Sequence, residues 1–330
     1  MLPTNANDMN DSVPKVLYHY TSYQGAKSIL AEKQFHMYRS NTMNDPTEVN
    51  SGLDIFFELL FDYAEERRKS DGSYSKATMR LGTCYYITVE AFNYYKHHTK
   101  ENLVRFGIPE DEASRRAFID RATSKDEEEL RRIRAVYTLC FSEKCDVLDL
   151  WRPYGDDGQG VCIGVKYETL KEMKIAGKVK DEAKLFPTFL RKVTYDKQEL
   201  VASIRDILDK MIASIDTEGA RNLFDICEEV YHHIICYKDS HYKSENEWRL
   251  YFYTKMHFHR PEFNHTKNRP RPYMITPAIN KYAFAVVATG PCSKYDGVDD
   301  EAWKHYLSVC ELDLDEVELK HMDSIPYRRY

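Results

Sequence analysis

The chain has 330 residues, of which 42% are hydrophobic and 30% are charged, so it can bury a sizeable core. No apolar run approaches the roughly 20 residues that span a bilayer, so we do not expect a membrane protein. The net charge of −6 argues against general attraction to nucleic acid, although a local basic groove is compatible with it.

The N-terminal segment and the cysteines indicate in which cellular compartment we expect the protein. The N-terminal segment is polar and lacks the apolar region of a signal peptide, so we expect residues 1–15 to be a disordered tail. The eight cysteines are scattered without a Cys-x-x-Cys pair, which favours free thiols in a reducing, cytoplasmic compartment. Residues 16–330 are expected to form one domain.

The first predicted elements alternate between strand and helix. Residues 16–20 read as a strand, and Ser22 can cap the helix that follows. Residues 35–39 read as a second strand. The Asn44-Asp45-Pro46 turn then begins a helix whose apolar residues recur at helical spacing over 53–64.

The stretch near 72–134 is interpreted as a charged helical insertion. Residues 81–89 are apolar enough for a strand or a buried helix, and the pattern leaves both open. Acidic and basic residues over 127–134 stand three and four apart, which suits a solvated helix rather than a binding patch.

The second half mixes strands and helices without regular alternation. Predicted strands lie at 136–141, 161–165, 191–195, 248–253, 283–288 and 317–321, and predicted helices lie near 197–214, 217–237 and 303–309. Irregular alternation argues against a parallel doubly wound sheet and favours an α+β fold.

The first candidate site pairs His19 with Thr21. Residues two apart on a strand point to the same face, so an imidazole and a hydroxyl could serve one ligand. The alternative is a buried histidine bonded to backbone, with Thr21 or Ser22 merely capping the next helix.

The second candidate is the predicted strand face that carries Glu245, Glu247 and Arg249. A carboxylate here could stabilise positive charge on a sugar as a glycosidic bond breaks. A salt-bridged strand face explains the same pattern.

The third candidate is the loop that contains Trp151, Arg152 and Tyr154. The two rings could stack on a base or a nicotinamide, and the guanidinium could meet a phosphate. The alternative is a packed loop with Trp151 in the core. The chain has neither a Walker lysine loop nor a Gly-x-Gly-x-x-Gly motif, so the common phosphate cradles are absent.

A metal site is not expected. His232, His233, Cys236 and His241 lie near one another in the sequence. Zinc would require a second ligand pair at a defined spacing, and none is evident.

Taken in order, the short motifs form a series. Its members are His19-Tyr20-Thr21-Ser22, Asn44-Asp45-Pro46 with Glu48, Cys140-Phe141-Ser142-Glu143, Leu150-Trp151 with Tyr154 and Gly160, Lys243 with Glu245, Glu247 and Arg249, Gly290-Pro291, and Ser324-Ile325-Pro326-Tyr327-Arg328. The series resembles the bacterial family known as domain of unknown function 2971. The resemblance extends from about Val16 to Arg328, except for the charged stretch near 72–134.

A more distant likeness is to ADP-ribosyltransferases, through their His–Tyr–Glu arrangement. It implies a split, mainly antiparallel sheet with helical insertions. It further implies that NAD is the cofactor, that Glu247 is catalytic and that Glu245 orients the acceptor. The implied NAD-binding residues are His19, Tyr20, Thr21, Tyr38, Trp151, Arg152, Tyr154 and Arg249, with Tyr38 or Tyr154 stacking on the ligand.

Three functional hypotheses follow. The preferred one is NAD-dependent ADP-ribosyl transfer to an unidentified protein or nucleic-acid acceptor, by a toxin or phage-defence effector. The alternatives are a non-catalytic nucleotide-binding or interaction module, and a nuclease in which Asp45, Glu48 and Glu247 hold magnesium. The transferase hypothesis predicts that His19, Trp151 or Tyr154, and Glu247 converge within about 10 Å in one pocket.

Overall fold

The computed structural model describes residues 13–40, 48–68, 76–92, 99–111, 113–115, 117, 135–179, 182–218, 223–254, 261–266, 269–292 and 297–322. The elements of the first half are β1 (Val16–Thr21), α1 (Tyr23–Glu32), β2 (His36–Arg39), α2 (Glu48–Glu65), α3 (Lys76–Phe92), α4 (Lys100–Arg105) and β3 (Ala135–Ser142). The Asn44-Asp45-Pro46 turn and the charged stretch 118–134 lie outside the described residues.

The second half is richer in strands. Its elements are α5 (Leu148–Trp151), β4 (Val161–Lys166), α6 (Tyr167–Lys171), β5 (Lys174–Val179), β6 (Glu182–Pro187), β7 (Phe189–Lys192), α7 (Lys197–Glu218), α8 (Leu223–Ile235), β8 (Glu247–Thr254), β9 (Glu262–Thr266), β10 (Arg269–Ile275), β11 (Phe284–Thr289), α9 (Gly297–Val309) and β12 (Glu318–His321). Short 3-10 helices span Ser240–Glu245 and Lys281–Ala283.

One ten-stranded sheet organises the described residues. Its main order is β12-β11-β4-β1-β3-β2-β10-β9, with β8 beside β3 and β7 beside β8. Among the described strands, β11 and β12 pair in parallel and the other pairs are antiparallel. β5 and β6 form a separate two-stranded sheet. The predicted α+β class with a mainly antiparallel sheet is confirmed.

β1 and β2 diverge along one edge of β3. β8 occupies the other edge of β3 over its whole length, so β1 and β2 must share the remaining edge. β1 meets it through the Tyr18–Ser142 pair, whereas β2 meets it at Thr138 and Tyr137. The segment 139–141 therefore has no ladder partner on that edge within the described strands.

Strand register assigns each side chain to one of two sheet faces, because directly paired residues project to the same side and neighbours alternate. Face A carries Glu247 and its partner Ser142, and face B carries Trp248 and its partner Phe141. Face A is covered by α2, α3, α7 and α8 near β8, and by the α5 loop near β4. Face B is covered by α1 and α9.

Local signals explain several of these elements. The side chain of Ser22 accepts a hydrogen bond from the Gly25 amide at 3.1 Å, and this N-cap starts α1 as predicted. Residues 81–89, which the sequence left open, are helical and pack into the core that α2, α7 and α8 share. Within the described ranges, no helix combines the length and apolar character that crossing a bilayer requires.

Candidate functional site

A buried ionic network lies on face A at the start of β8. The Nζ atom of Lys238 lies 2.6 Å from Oε2 of Glu245 and 3.1 Å from Oε2 of Glu247. The Nε atom of Arg249 lies 2.7 Å from Oε1 of Glu247. All four residues are buried, and Glu247 is 3% exposed. Two carboxylates thus balance two cations away from solvent.

Backbone contacts connect the network to the end of α8. Nη1 of Arg249 donates to the carbonyl of Ile235 at 2.5 Å. The amide of Glu247 donates to the hydroxyl of Tyr195 at 2.9 Å. Burial raises the pKa of Glu247, but Arg249 and Lys238 outweigh it and lower that pKa to about 2. The carboxylate is therefore charged at neutral pH and engaged through both oxygens.

The strand boundary corrects one detail of the sequence prediction. Glu245 ends the 3-10 helix Ser240–Glu245, and Asn246 adopts a left-handed conformation with φ of 44° before β8 begins. Glu247 and Arg249 share a strand face as predicted, whereas Glu245 is not on the strand. Its carboxylate reaches the network through Lys238 instead.

His19 lies on face B, beside the segment 139–141 of β3 that neither β1 nor β2 pairs with. Its Nδ1 is 2.9 Å from the carbonyl oxygen of Cys140, and its ring contacts Phe35 and Phe141. A carbonyl can only accept, so Nδ1 carries the proton and Nε2 is the acceptor. Burial lowers the pKa of His19. Nε2 has no hydrogen-bond partner among the described residues.

The structure does not bring His19 and Glu247 into one pocket. Tyr18, rather than His19, is in register with Ser142, and Ser142 pairs with Glu247. The side-chain period of two therefore places His19 on the opposite face of the sheet from Glu247. The predicted convergence within a single cleft is not observed.

The Trp151 loop is packed as core. Trp151 is 0% exposed and meets the ring of Tyr20 edge-on at a centroid distance of 4.9 Å. The Tyr20 hydroxyl donates to the carbonyl of Lys144 at 2.8 Å and accepts from the amide of Val147 at 3.1 Å. The rings of Tyr20 and Trp151 thus pack this loop against the sheet, as the alternative interpretation proposed.

The other predicted residues of this region lie around that core. Tyr154 is half-buried against the Trp151 cluster, and Arg152 is exposed. Thr21 is half-buried at the end of β1. None of these positions places a ring of the Trp151 loop on an open surface.

Gly160 shows how tightly the loop is packed. A Cβ atom at this position would lie 2.2 Å from the carbonyl oxygen of Thr21. We expect Gly160→Ala to lower the free energy of unfolding by about 1–3 kcal/mol, the usual cost of overpacking. Urea denaturation would measure it. Gly107→Ala is the comparison, because its Cβ would meet no atom within 4 Å and only its φ of 64° is strained. Equal losses would show that close packing at Gly160 is unimportant.

Tyr38 belongs to a half-buried aromatic cluster on face A, where β2 pairs with β10. The rings of His36 and Tyr273 stack with centroids 4.3 Å apart, and the rings of Tyr38 and Tyr273 are 5.7 Å apart. The guanidinium carbon of Arg271 lies 4.6 Å from the centroid of the Tyr38 ring. We call His36, Tyr38, Arg271 and Tyr273 the aromatic platform.

Two polar residues of β9 hold the platform in place. The Tyr273 hydroxyl donates to Oε2 of Glu262 at 2.9 Å, and the side-chain amide of Asn264 donates to the Tyr38 hydroxyl at 3.4 Å. Burial and the bond to Glu262 raise the pKa of Tyr273 to about 12. The Tyr273 hydroxyl is therefore protonated at neutral pH. Burial also lowers the pKa of His36.

The guanidinium of Arg271 has no hydrogen-bond acceptor among the described residues. Its Nε atom is enclosed without a partner, and the contact seen for the group is the Tyr38 ring. An enclosed donor without an acceptor costs about 1–3 kcal/mol, so such groups require an explanation. A bound anion would supply the acceptor for this cation.

Metal ligation finds no support within the described ranges. No cluster of three or more His, Cys, Asp or Glu side chains suited to a metal occurs there. Nδ1 of His232 lies 2.6 Å from the Tyr251 hydroxyl, and burial lowers the pKa of His232 to about 3. Asp45 and the side chain of Glu48 lie outside the described residues, so the predicted magnesium set stays a prediction.

Comparison with known families finds a match for part of the chain. Residues 150–250 match the family described as protein of unknown function DUF2971. The matched segment includes the Trp151 loop and the buried network, but not the aromatic platform. No curated protein and no solved structure matches the chain. The resemblance to the family of unknown function is thus supported over residues 150–250, and the likeness to ADP-ribosyltransferases stays a prediction.

Proposed function

We propose that the protein binds a nucleotide on the aromatic platform. The observation that carries this proposal is the half-buried guanidinium of Arg271, which has no acceptor among the described residues and lies against the ring of Tyr38. A cation with no ion-pair partner among the described residues, beside partly accessible rings, suits a ligand that is both anionic and planar. A nucleotide combines these two properties in one molecule.

Each half of the platform would recognise one half of a nucleotide. Tyr38 and Tyr273 offer rings on which a base can stack, a contact worth about 1–3 kcal/mol per base. The Arg271 guanidinium would donate charge-assisted hydrogen bonds to phosphate oxygens. Tyr38 is also one of the two residues, with Tyr154, for which the sequence predicted stacking. This is the binding-module hypothesis, with a defined surface.

ADP-ribosyl transfer from NAD is the enzymatic alternative. One observation favours it: Nε2 of His19 is an acceptor without a partner among the described residues. Glu247, the implied catalytic group, already has both oxygens engaged by Lys238 and Arg249. Binding without catalysis is therefore our first choice. NAD itself carries two bases and a pyrophosphate, so it belongs among the ligands to be tested.

Arg271→Gln is expected to weaken nucleotide binding about tenfold or more, because a hydrogen bond to a charged group is worth about 1.5–3 kcal/mol and 1.4 kcal/mol is tenfold in affinity. Calorimetric titration with ATP, ADP-ribose and NAD would measure it. Arg152→Gln is the matched control, since Arg152 is exposed and was the phosphate-binding candidate of the sequence. A loss confined to Arg152→Gln would refute the platform and restore the Trp151 loop.

A further inference from the structure

We infer that the ligand of the aromatic platform is single-stranded nucleic acid rather than a free nucleotide. This inference rests on the proposed function and concerns the same surface. It follows from three features of the β9–β10 hairpin: its charge, its position at the edge of the sheet and a further exposed ring.

The stretch of sequence that contains the hairpin is basic within an acidic protein. Residues 255–272 contain five Lys or Arg and three His but a single Glu, whereas the whole chain carries a net charge of −6. Arg271, on β10, is the cation whose side chain the structure places on the platform. A basic stretch of sequence in an acidic protein favours a polyanion, since each neutralised phosphate releases counterions.

The hairpin lies at one end of the sheet that the described strands form. β9 pairs with β10, and no other strand borders it within the described residues. A chain longer than one nucleotide could therefore continue past the platform without meeting another of the described strands. Phe263 on β9 is a large apolar side chain that is 54% exposed.

Phe263 offers a contact to a nucleic-acid strand that a free nucleotide on the platform would not make. Its neighbour Glu262 pairs with Tyr273 on face A, so Phe263 projects to face B across the edge strand. A nucleotide held against Tyr38 and Arg271 on face A would not touch Phe263. A strand that passes round the edge could stack a further base on it. The bases of a duplex are already stacked and paired, so these rings select unpaired bases.

The test measures fluorescence anisotropy of labelled DNA and RNA oligonucleotides of about 12 nucleotides, within the usual site size, with the full-length protein. Single strands are expected to bind at least tenfold more tightly than ATP, and to weaken as salt rises from about 50 to 200 mM. A matched duplex and polyglutamate are expected to bind more weakly. Tyr282→Leu, at an exposed tyrosine outside the platform, is expected to leave binding unchanged.

Two variants keep this inference separable from the proposed function. Phe263→Ser is expected to weaken oligonucleotide binding several-fold and to leave ATP binding unchanged, whereas Tyr38→Leu is expected to weaken both. ATP binding without tighter oligonucleotide binding, or tighter binding of polyglutamate or duplex, would overturn the inference alone. Failure of ATP and oligonucleotide together would overturn both. Circular dichroism of each variant checks that it is folded.

Discussion

Glu247→Gln is expected to lower the free energy of unfolding by about 3–5 kcal/mol, the usual effect of removing one partner from a buried ion pair. The substitution leaves two buried cations, Lys238 and Arg249, with the single carboxylate of Glu245. Urea denaturation followed by circular dichroism would measure the loss. Glu318→Gln is the control, because its ion pair with Lys320 is exposed and such pairs are worth about 0–1 kcal/mol.

A second variant tests whether charge balance is the cause. Lys238→Met combined with Glu247→Gln removes one charge of each sign and is expected to recover part of the loss. The same proteins can be assayed for NAD hydrolysis. If Glu247→Gln unfolds like the wild type but NAD turnover falls about a hundredfold, the scale of one lost electrostatic group, then Glu247 is catalytic and our structural interpretation is wrong.

Trp151→Ala is expected to cost about 3–5 kcal/mol of unfolding free energy, as for other fully buried aromatic residues. Trp151 is enclosed by Tyr20 and by glycines, and a Cβ atom at Gly155 would lie 2.4 Å from Cε3 of its ring. Trp151→Phe is expected to cost less, because the Nε1 atom has no hydrogen-bond partner to lose. Thermal and urea unfolding would rank the variants.

The same variants distinguish a core ring from a stacking ring. Trp151→Phe is expected to retain wild-type affinity for ATP and NAD at temperatures where it is folded. If Trp151→Phe weakened ligand binding without changing the unfolding midpoint, the loop would be part of the ligand site. The sequence hypothesis for Trp151 would then replace the packing interpretation.

The elements with strong local signals were predictable from the sequence. The strand β1, the Ser22 cap and the helix α2 each follow from short-range periodicity or capping chemistry, and the structure contains them. Residues 81–89 were ambiguous because a continuous apolar run fits a buried strand or a buried helix. In the structure this segment is a helix that packs against α2 and α8. These contacts join residues far apart in the sequence, so a short stretch of sequence does not reveal them.

The β9–β10 hairpin was not predicted, for a reason that its composition explains. Pro270 and Pro272 cannot donate to a ladder, and prolines argue against a strand when a sequence is read alone. Polar and basic residues also obscure the alternation that marks a half-buried strand. The hairpin nevertheless pairs over its whole length, from Arg269–Thr266 to Tyr273–Glu262.

The composition of the candidate sites was only partly predictable, because it depends on long-range register. Glu247 and Arg249 could be assigned to one face from their spacing along one strand. The relation of His19 to Glu247 depends on the register of β1 against β3 and of β3 against β8, and a slip of one residue would exchange the faces. Likewise, no residue near Tyr38 in the sequence indicates that Tyr273 is its cross-strand partner.

The pairing of β2 with β10 has a consequence for synthesis of the protein on the ribosome. Tyr38 is synthesised more than 200 residues before its cross-strand partner Tyr273. At usual elongation rates, the interval between the two is on the order of tens of seconds. During that time the outer edge of β2 has no native partner, and an unpaired strand edge invites association with other chains. The nascent protein therefore needs β10 before β2 is paired on both edges, and we expect products truncated before β10 to aggregate more readily than the full-length chain.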